Sequence, residues 1–311
     1  MTIALGCMGM SGAYGKTDDA HSITVIHAAI ERGVTLLDTG DFYGFGHNEL
    51  LIGKAIAGRR DRVQLSVKFG ALRGPDNSWG GVDARPAALK NFLGYSLVRL
   101  GTDHVDIYRP GRLDPAVPIE DTIGAIADLV KAGYVRAIGL SEVGPDTIRR
   151  AAKVHPIADL QIEYSLASRE PEDAIFPVLA ELGIGATLYG VLSRGLLSAS
   201  PIGAGDARAH LPRFSGEHRD ANTRLVAGLQ GLAQRWSITP SQLAIGWVLA
   251  KQPRLVPTLG MRTLHQLDEA LAAKPLTVEQ LVEVDAVAPR GAIAGTRYPA
   301  AQMKMLDSER R

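Results

Sequence analysis

Residues 33–49 read GVTLLDTGDFYGFGHNE. The apolar run at 34–37 stands between two glycines, which is typical of a short strand buried on both faces of a parallel sheet. The run leads into Asp38 and then, in the following loop, into Tyr43. A buried carboxylate is unfavourable unless a cation pairs with it. The segment therefore predicts a basic side chain close to Asp38.

The next predicted strand supplies that side chain. Residues 63–67 read VQLSV and are followed by Lys68. We expect Asp38 and Lys68 to form an ion pair beside Tyr43, and an adjacent ammonium group to lower the pKa of the tyrosine. A tyrosine in this setting is a candidate proton donor. Taken alone, however, these residues are also compatible with a structural ion pair beside a core tyrosine.

Predicted strands and helices alternate along almost the whole chain. Strict alternation requires crossover connections and parallel strands. Eight such units in 311 residues predict a closed (β/α)8 barrel, with one domain over residues 1–311. An open, doubly wound sheet is the alternative, but its usual GxGxxG motif after the first strand is missing from the sequence. The predicted strands are 3–7, 34–37, 63–67, 104–108, 135–140, 159–162, 184–188 and 255–258. The predicted helices are 22–32, 49–57, 86–100, 120–132, 145–154, 173–182, 221–235, 240–251 and 264–273.

Composition narrows the class of protein. The chain is 46% hydrophobic and 22% charged, and its net charge is +1, which does not suggest a nucleic-acid partner. The single cysteine, Cys7, excludes an intrachain disulfide and a cysteine-based metal cluster, and we expect no metal site. With no signal pattern and no apolar run near 18 residues, we expect a soluble cytoplasmic protein without a membrane partner.

A glycine-rich segment at 12–17, GAYGKT, is close to a phosphate-binding P-loop without matching it. The motif requires a glycine at position 10, where the chain has Met10, and Asp18 and Asp19 would repel a phosphate. We therefore do not predict a P-loop.

Several motifs resemble those of the aldo-keto reductases. The stretch LLDTGDFYGFGHNELLIGKAI at 36–56 resembles the signature around that family's catalytic aspartate and tyrosine. The other motifs follow in the family's order over nearly the full chain: VKFG at 67–70, VRAIGLSEVG at 135–144, LQIEYS at 160–165, LYGVLSRGLL at 188–197, RAHLPRFSGEHRDAN at 208–222 and VPTLGMRTLHQLDEAL at 256–271. The resemblance implies a barrel in which Tyr43 is the general acid and Asp38 and Lys68 tune its pKa. The family's N-terminal β-hairpin, which caps the barrel bottom, is not expected, because the sequence begins almost directly at the first strand.

The resemblance also implies a nicotinamide cofactor. Ser141 and Gln161 would bind its carboxamide, and Tyr189 would stack on the ring. An arginine at the adenosine end suits a 2′-phosphate, so Arg262 favours NADPH/NADP+ over NADH; a solvated charge at a helix start is the alternative for this residue. The remaining residues expected at the cofactor are Met8, Leu192, Ser193, Arg194, Gly260, Gln266 and Glu269.

The chain departs from the family pattern after its fourth barrel strand. The family commonly reads Tyr-Tyr-Gln-His-Arg-Val-Asp-Pro there, whereas this chain has Gly111 in place of the catalytic histidine. His104 cannot substitute because it lies at the other end of the strand, so either Arg109 or a water polarises the substrate carbonyl, or carbonyl reduction is weak. Losing such a donor costs about 2.7–4 kcal/mol. In addition, Glu142 and Ala270 stand where many members have asparagine.

A narrower resemblance concerns the substrate. TGDFYG and KFGALRGPDNSW resemble the pyridoxal reductase branch of the family. Arg73 and Trp79 would then overhang the substrate, and the indole would stack on an aromatic aldehyde. Alternatively, Trp79 packs the loop against the barrel.

The resulting hypothesis is an NADPH-dependent reductase of a small-molecule aldehyde or ketone, either a monomer or a weak oligomer. The first alternative is an NADPH-binding regulator or sensor with weak catalysis, as in potassium-channel β subunits, because Gly111 replaces the histidine. The second is a lyase that uses Lys68 as a Schiff base, which the adjacent Asp38 disfavours by keeping the lysine protonated.

Overall fold

The computed structural model describes residues 3–202, 206–251 and 254–310. Its strands are β1 (Ala4–Gly6), β2 (Leu36–Gly40), β3 (Gln64–Phe69), β4 (Ala71–Arg73), β5 (Trp79–Val82), β6 (Val105–Pro110), β7 (Val135–Ser141), β8 (Ile157–Glu163), β9 (Gly185–Tyr189) and β10 (Leu255–Leu259). Its helices are α1 (Asp19–Glu31), α2 (His47–Ile56), α3 (Pro86–Leu100), α4 (Ile119–Lys131), α5 (Pro145–Val154), α6 (Ile175–Leu182), α7 (Gly216–Arg235), α8 (Pro240–Leu249), α9 (Leu264–Leu271), α10 (Val278–Val287) and α11 (Ala300–Met303).

Eight of the strands form a closed barrel in the order β1-β10-β9-β8-β7-β6-β3-β2. All of its strand pairs are parallel. The carboxyl ends of the strands therefore lie together at one end, which we call the mouth of the barrel. The predicted (β/α)8 barrel is confirmed.

The barrel strands are apolar on the face that packs against the helices, and several carry polar side chains into the interior. Leu37, Leu65 and Leu140 are fully buried in the apolar core. Ser66, Arg109, Asp159 and Thr187 are buried as well, and they hydrogen-bond with one another. The interior of this barrel is therefore partly polar rather than purely apolar.

A glycine makes room for that polar interior. A Cβ placed on Gly139 would lie 2.9 Å from Asp159 Oδ1 and 3.1 Å from Arg109 Cζ. Real side chains do not approach that closely, so position 139 has to lack a side chain for the buried Arg109–Asp159 pair to form.

The structure differs from the sequence prediction at several element boundaries. Helix α1 begins three residues earlier than predicted because the Asp18 carboxylate caps it, accepting a hydrogen bond from the His21 amide at 2.9 Å. Strand β2 continues to Gly40. No strand or helix was predicted between residues 68 and 85, but the antiparallel hairpin β4–β5 lies there, and α10 and α11 lie beyond the last predicted helix.

No helix in the described part of the chain is both long and apolar enough to cross a bilayer.

Candidate active site

The predicted ion pair forms at the mouth of the barrel. Strands β2 and β3 pair in register, with Asp38 opposite Ser66 and Gly40 opposite Lys68. Lys68 Nζ donates to Asp38 Oδ2 at 2.5 Å, and Ser66 Oγ donates to Asp38 Oδ1 at 2.8 Å. Burial lowers the pKa of Lys68, while the negative charge of Asp38 opposes that shift. Both charged side chains are almost fully buried, so the pair is held rigidly.

Tyr43 begins a 3-10 turn, Tyr43–Gly46, directly beyond β2. The Lys68 Nζ atom lies 5.4 Å from the centre of the tyrosine ring. Burial and the charge of Asp38 raise the pKa of Tyr43 well above its usual value, and Arg112 is the cation that partly offsets the increase. The prediction that Lys68 leaves the Tyr43 pKa lowered was wrong, because desolvation outweighs the nearby positive charge. The hydroxyl is therefore protonated at neutral pH, as a proton donor requires.

Arg109 does not reach the substrate side of the mouth. It lies next to the last residue of β6, has 0% exposure and contacts Asp159 at 3.0 Å. Its Nη2 donates to Ser66 Oγ at 3.0 Å, and its Nη1 donates to the Leu140 carbonyl at 3.3 Å. The prediction that Arg109 polarises the substrate carbonyl was wrong, because the side chain points into the barrel interior.

Gly111 lies directly after β6, and its amide donates to the Phe69 carbonyl at 2.8 Å. A Cβ at this position would lie 3.3 Å from the Phe42 ring and 3.3 Å from the Phe69 carbonyl oxygen. The Phe42 ring in turn makes an edge contact with the Tyr43 ring, with centroids 4.8 Å apart. Position 111 is thus adjacent to the tyrosine, but an aromatic ring fills the space beside it.

The two residues predicted to bind a carboxamide lie at the carboxyl end of β7 and near that of β8. Ser141 is buried, and its Oγ atom has no hydrogen-bond partner among the described residues. Gln161 Nε2 donates to Asp38 Oδ1 at 2.8 Å and to Thr187 Oγ1 at 3.3 Å. Ser141 therefore has a free hydroxyl, whereas the nitrogen of Gln161 already helps to hold Asp38.

Glu142 is the most heavily bonded carboxylate of the site. It accepts hydrogen bonds from Tyr189 Oη at 2.7 Å, Arg297 Nη2 at 2.6 Å and Ser308 Oγ at 2.7 Å. Arg297 and Ser308 belong to the C-terminal segment, by which we mean residues 297–309. The pKa of Glu142 is about 2 because the Arg297 guanidinium and these hydrogen bonds overcome the opposing effect of burial. The glutamate at this position therefore ties the chain terminus to the mouth.

Sequence reasoning did not assign a role to the C-terminal segment. Tyr298 Oη lies 3.2 Å from Tyr189 Oη, and the Arg194 guanidinium carbon lies 4.5 Å from the centre of the Tyr298 ring. The rule that a buried carboxylate needs a cation applies to Glu142 as it does to Asp38. That rule could have predicted a partner, but not which of the many arginines it would be.

The predicted residues after β9 form a tight turn. Ser193 and Arg194 both have positive φ, 46° and 55°. Arg213, which the sequence did not single out, donates to Ser193 Oγ at 3.0 Å and to Glu163 Oε1 at 3.2 Å. The preceding residue, Leu192, accepts backbone bonds that close the turn. The turn places Arg194 beside the mouth, and both Arg194 and Arg213 lie within 4 Å of Glu163.

The residues predicted for the adenosine end follow β10. Arg262 donates from its two terminal nitrogens to the carbonyls of Tyr14 and Lys16, at 2.7 and 2.6 Å, so it holds the GAYGKT loop in place. Its amide donates to Gln266 Oε1 at 2.7 Å. Glu269 is half-buried on α9, and Met8 is half-buried in the 3-10 turn after β1. A Cβ on Gly260 would meet only the Gly6 carbonyl, at 3.9 Å, so the backbone there is open.

The hairpin β4–β5 carries the two residues expected above the substrate. Arg73 and Trp79 are paired across it, and the guanidinium lies 5.7 Å from the indole centre. Trp79 is 43% exposed. The indole therefore does not pack the loop fully against the barrel, and much of its face is free.

Comparison with known proteins gives a consistent result. The family model described as "Aldo/keto reductase family" matches residues 2–289. A curated relative, "Probable aldo-keto reductase 1" of Glycine max, is 40% identical over 308 residues, which is 95% of this chain and 88% of the relative. The structure of a glycerol dehydrogenase from Gluconobacter oxydans superposes with a TM-score of 0.84 at 27% identity, covering 93% of this chain and 92% of that one.

A second solved structure is similar over most of its length. An aldo/keto reductase from Klebsiella pneumoniae, in complex with NADP and acetate, superposes with a TM-score of 0.74 at 25% identity. The superposition covers 96% of this chain and 94% of that one.

Proposed function

The chain belongs to the aldo/keto reductase family, and we propose that it reduces an aldehyde or ketone to an alcohol, with NADPH as hydride donor and Tyr43 as general acid. The observation that carries this proposal is the buried Asp38–Lys68 pair beside a tyrosine whose hydroxyl stays protonated. General acid catalysis of this kind contributes typically about 10²–10⁴-fold to a rate.

The chemistry divides between the cofactor and the chain. NADPH held at the mouth would supply the hydride that the carbonyl carbon accepts, and would be oxidised to NADP+. Tyr43 gives its hydroxyl proton to the carbonyl oxygen, so the carbonyl gains one hydride and one proton and becomes an alcohol. Lys68 stabilises the resulting phenolate, and Asp38 holds Lys68 in position until a solvent proton restores Tyr43.

The residues around the mouth fit a nicotinamide cofactor. The unpartnered Ser141 hydroxyl is a donor or acceptor for the carboxamide, and Tyr189, at the end of β9, offers a ring face for the nicotinamide. Arg194 would meet the pyrophosphate. Arg262 keeps donors beyond its two carbonyl bonds, and these would face a 2′-phosphate. NADPH is accordingly preferred to NADH.

The aromatic side chains near the mouth favour an aromatic aldehyde, and pyridoxal is the specific candidate. Trp79 exposes its indole on the hairpin, while Phe42 and Tyr298 border Tyr43 and Tyr189. Planar rings gain from stacking on such faces. Arg73, held over the indole, would interact with polar groups of the same substrate.

The decisive experiment is Tyr43→Phe, assayed against pyridoxal and a panel of small aldehydes. We expect turnover to fall to background while NADPH binding, followed by cofactor fluorescence, stays unchanged. Phenylalanine keeps the ring and removes only the proton donor. Normal turnover by Tyr43→Phe would rule out the proposed mechanism.

The same titration tests the regulator alternative, which Gly111 favours because no side chain extends from that position. Tight NADPH binding by the wild-type chain without turnover of any aldehyde would support a cofactor sensor. Failure to bind NADPH would contradict both functions.

A further inference from the structure

Arg112 lies at the mouth immediately after Gly111, and sequence reasoning gave it no role. Its Nη1 donates to the Gly111 carbonyl at 2.7 Å, so the guanidinium folds back over residue 111. Gly111 in turn lies against the Phe42 ring, which contacts Tyr43. The guanidinium is therefore anchored to a residue that packs against Phe42, the neighbour of Tyr43.

The hydrogen bond to Gly111 leaves most of the Arg112 donors unused. Within the described ranges, the side chain makes no other hydrogen bond and has no carboxylate within 4 Å. Arg194, Arg213 and Arg297, by contrast, each lie within that distance of Glu163. None of the remaining Arg112 donors is among the buried polar atoms without a partner, so they are accessible to solvent and available to a molecule bound at the mouth.

The charge of Arg112 acts on the catalytic residues themselves. It lowers the pKa of Tyr43 and of Lys68, and the Tyr189 and Tyr298 hydroxyls are among the groups that interact with it. These effects agree with the position of Arg112 directly beyond the end of β6, at the same end of the barrel as Tyr43 and Lys68. The guanidinium is thus close to the residues that would surround a substrate carbonyl.

We propose that Arg112 is a catalytic residue that donates a hydrogen bond to the carbonyl oxygen, replacing the side chain that Gly111 lacks. The assignment rests on the proposed reductase function. A glycine at 111 leaves no donor there, and the Phe42 ring fills the adjacent space. A guanidinium anchored through one nitrogen retains donors on the others, and its positive charge stabilises the negative charge that develops on the oxygen.

The first test compares Arg112→Met with Arg112→Lys and with the control Arg136→Met. Arg136 is exposed near the start of β7, at the opposite end of the barrel, and its replacement removes the same charge. We expect kcat to fall about 10²–10³-fold in Arg112→Met, less in Arg112→Lys, and not in the control. NADPH affinity should be unchanged in all three chains. Wild-type kcat in Arg112→Met would overturn the proposal.

The second test separates a catalytic from a structural effect. In Arg112→Ala, free guanidinium chloride at a non-denaturing concentration should restore part of kcat, and it should have no such effect on Tyr43→Phe. A structural defect would not be repaired by the free ion. A folded Arg112→Ala chain that guanidinium does not rescue, together with an unchanged KM, would count against direct donation.

The third test does not need turnover. Benzoate, whose carboxylate resembles the charged carbonyl oxygen, should bind the wild-type chain with NADP+ at least about tenfold more tightly than it binds Arg112→Met, which corresponds to about 1.4 kcal/mol. Equal affinities would overturn the role of Arg112. A wild-type chain that binds benzoate but reduces no carbonyl compound would instead contradict the proposed function.

Discussion

Asp41, two residues before Tyr43, is a carboxyl group in an unfavourable place. Burial raises its pKa to about 7, and the charge of Glu49 adds to the increase. Its best hydrogen bond is a long one of 3.4 Å from the Gly70 amide, and no cation of the described chain lies within 4 Å of it. The Asp41 carboxyl group is thus mostly protonated at every pH below about 7.

The first prediction concerns Asp41→Asn. The folded-state pKa lies above the unfolded value, so the stability contributed by Asp41 is fully present below about pH 4 and is lost as the pH rises through 7. Each tenfold difference in proton affinity between the two states is about 1.4 kcal/mol. We expect the variant to match the wild-type Tm at pH 4 and to exceed it at pH 8.

Asp61→Asn is the matched control, because it makes the same chemical change at an exposed position far from the mouth. The difference in Tm between Asp61→Asn and wild type should be the same at pH 4 and at pH 8. An Asp41→Asn chain that is less stable than wild type at pH 8 would show that the carboxylate is favourably paired after all.

At the scale of elements, the C-terminal segment (residues 297–309) is attached to the end of β7 through Glu142. This glutamate adopts φ of 53°, a left-handed conformation that is costly for a non-glycine residue. Its carboxylate also receives the Glu163 amide hydrogen bond at 2.9 Å from β8. Two barrel strands and the chain terminus therefore converge on one side chain.

The second prediction is that Glu142→Gln releases the C-terminal segment. Hydrogen bonds to charged groups contribute about 1.5–3 kcal/mol each, and we expect the free energy of unfolding to fall by about that amount. Hydrogen exchange in residues 297–309 should rise. Glu309→Gln, which removes another carboxylate bonded to Arg297 at 2.7 Å, is the control and should have a smaller effect.

The third prediction follows from the Glu142 pKa of about 2. Because this value is below the unfolded one, the contribution of Glu142 is present above about pH 4.5 and is lost as the pH falls towards 2. Hydrogen exchange in the C-terminal segment should therefore increase on acidification in wild type, and less so in Glu142→Gln. If hydrogen exchange in the C-terminal segment depends equally on pH in wild type and in Glu142→Gln, then Glu142 does not hold this segment.

The fourth prediction uses two helix glycines. A Cβ on Gly53 of α2 would lie 2.7 Å from the Arg99 carbonyl oxygen of α3, whereas a Cβ on Gly94 of α3 would meet nothing within 4 Å. We expect Gly53→Ala to lower the free energy of unfolding by about 1–3 kcal/mol. Gly94→Ala should raise it by about 0.5–1 kcal/mol, since alanine is the better helix former. Urea unfolding of both variants measures the difference, and equal changes would exclude close helix contact at Gly53.

At the scale of the whole molecule, the barrel interior links most strands to the Asp38–Lys68 ion pair. Arg109 on β6 bonds to Ser66 on β3, to Asp159 on β8 and to Thr187 on β9. Ser66 then donates to Asp38 on β2. The geometry of the active site therefore depends on a network that crosses the barrel.

The fifth prediction tests this network. Arg109→Met leaves Asp159 buried without its cation, which costs about 3–5 kcal/mol. Arg109→Met combined with Asp159→Leu should recover much of the loss, because no uncompensated charge remains. Denaturant unfolding of the single and double variants measures the coupling. If the losses of unfolding free energy in the two single variants simply add up in the double variant, then the two side chains do not interact.

Part of the fold and the site could be predicted from local sequence. The alternation of apolar runs with helical patterns predicted eight barrel strands, and their order around the barrel confirms it. The Asp38–Lys68 contact could be predicted because both residues lie on consecutive barrel strands that pair in register.

The hairpin β4–β5 was missed because its glycine-rich sequence resembles a loop. One domain over residues 1–311 and a monomer or weak oligomer stay predictions.

By itself, the sequence determined the barrel and the family and predicted Asp38, Tyr43 and Lys68 as the catalytic residues, since all of these depend on periodicity and on short motifs. Only the tertiary structure decided that Arg109 points inward, that Arg112 folds over Gly111, and that Arg297 meets Glu142 across 155 residues of chain. The physical reason is that a buried charge requires some partner, a requirement that sequence reveals. Which partner is close enough depends on how distant segments pack, and that is settled only when the barrel closes.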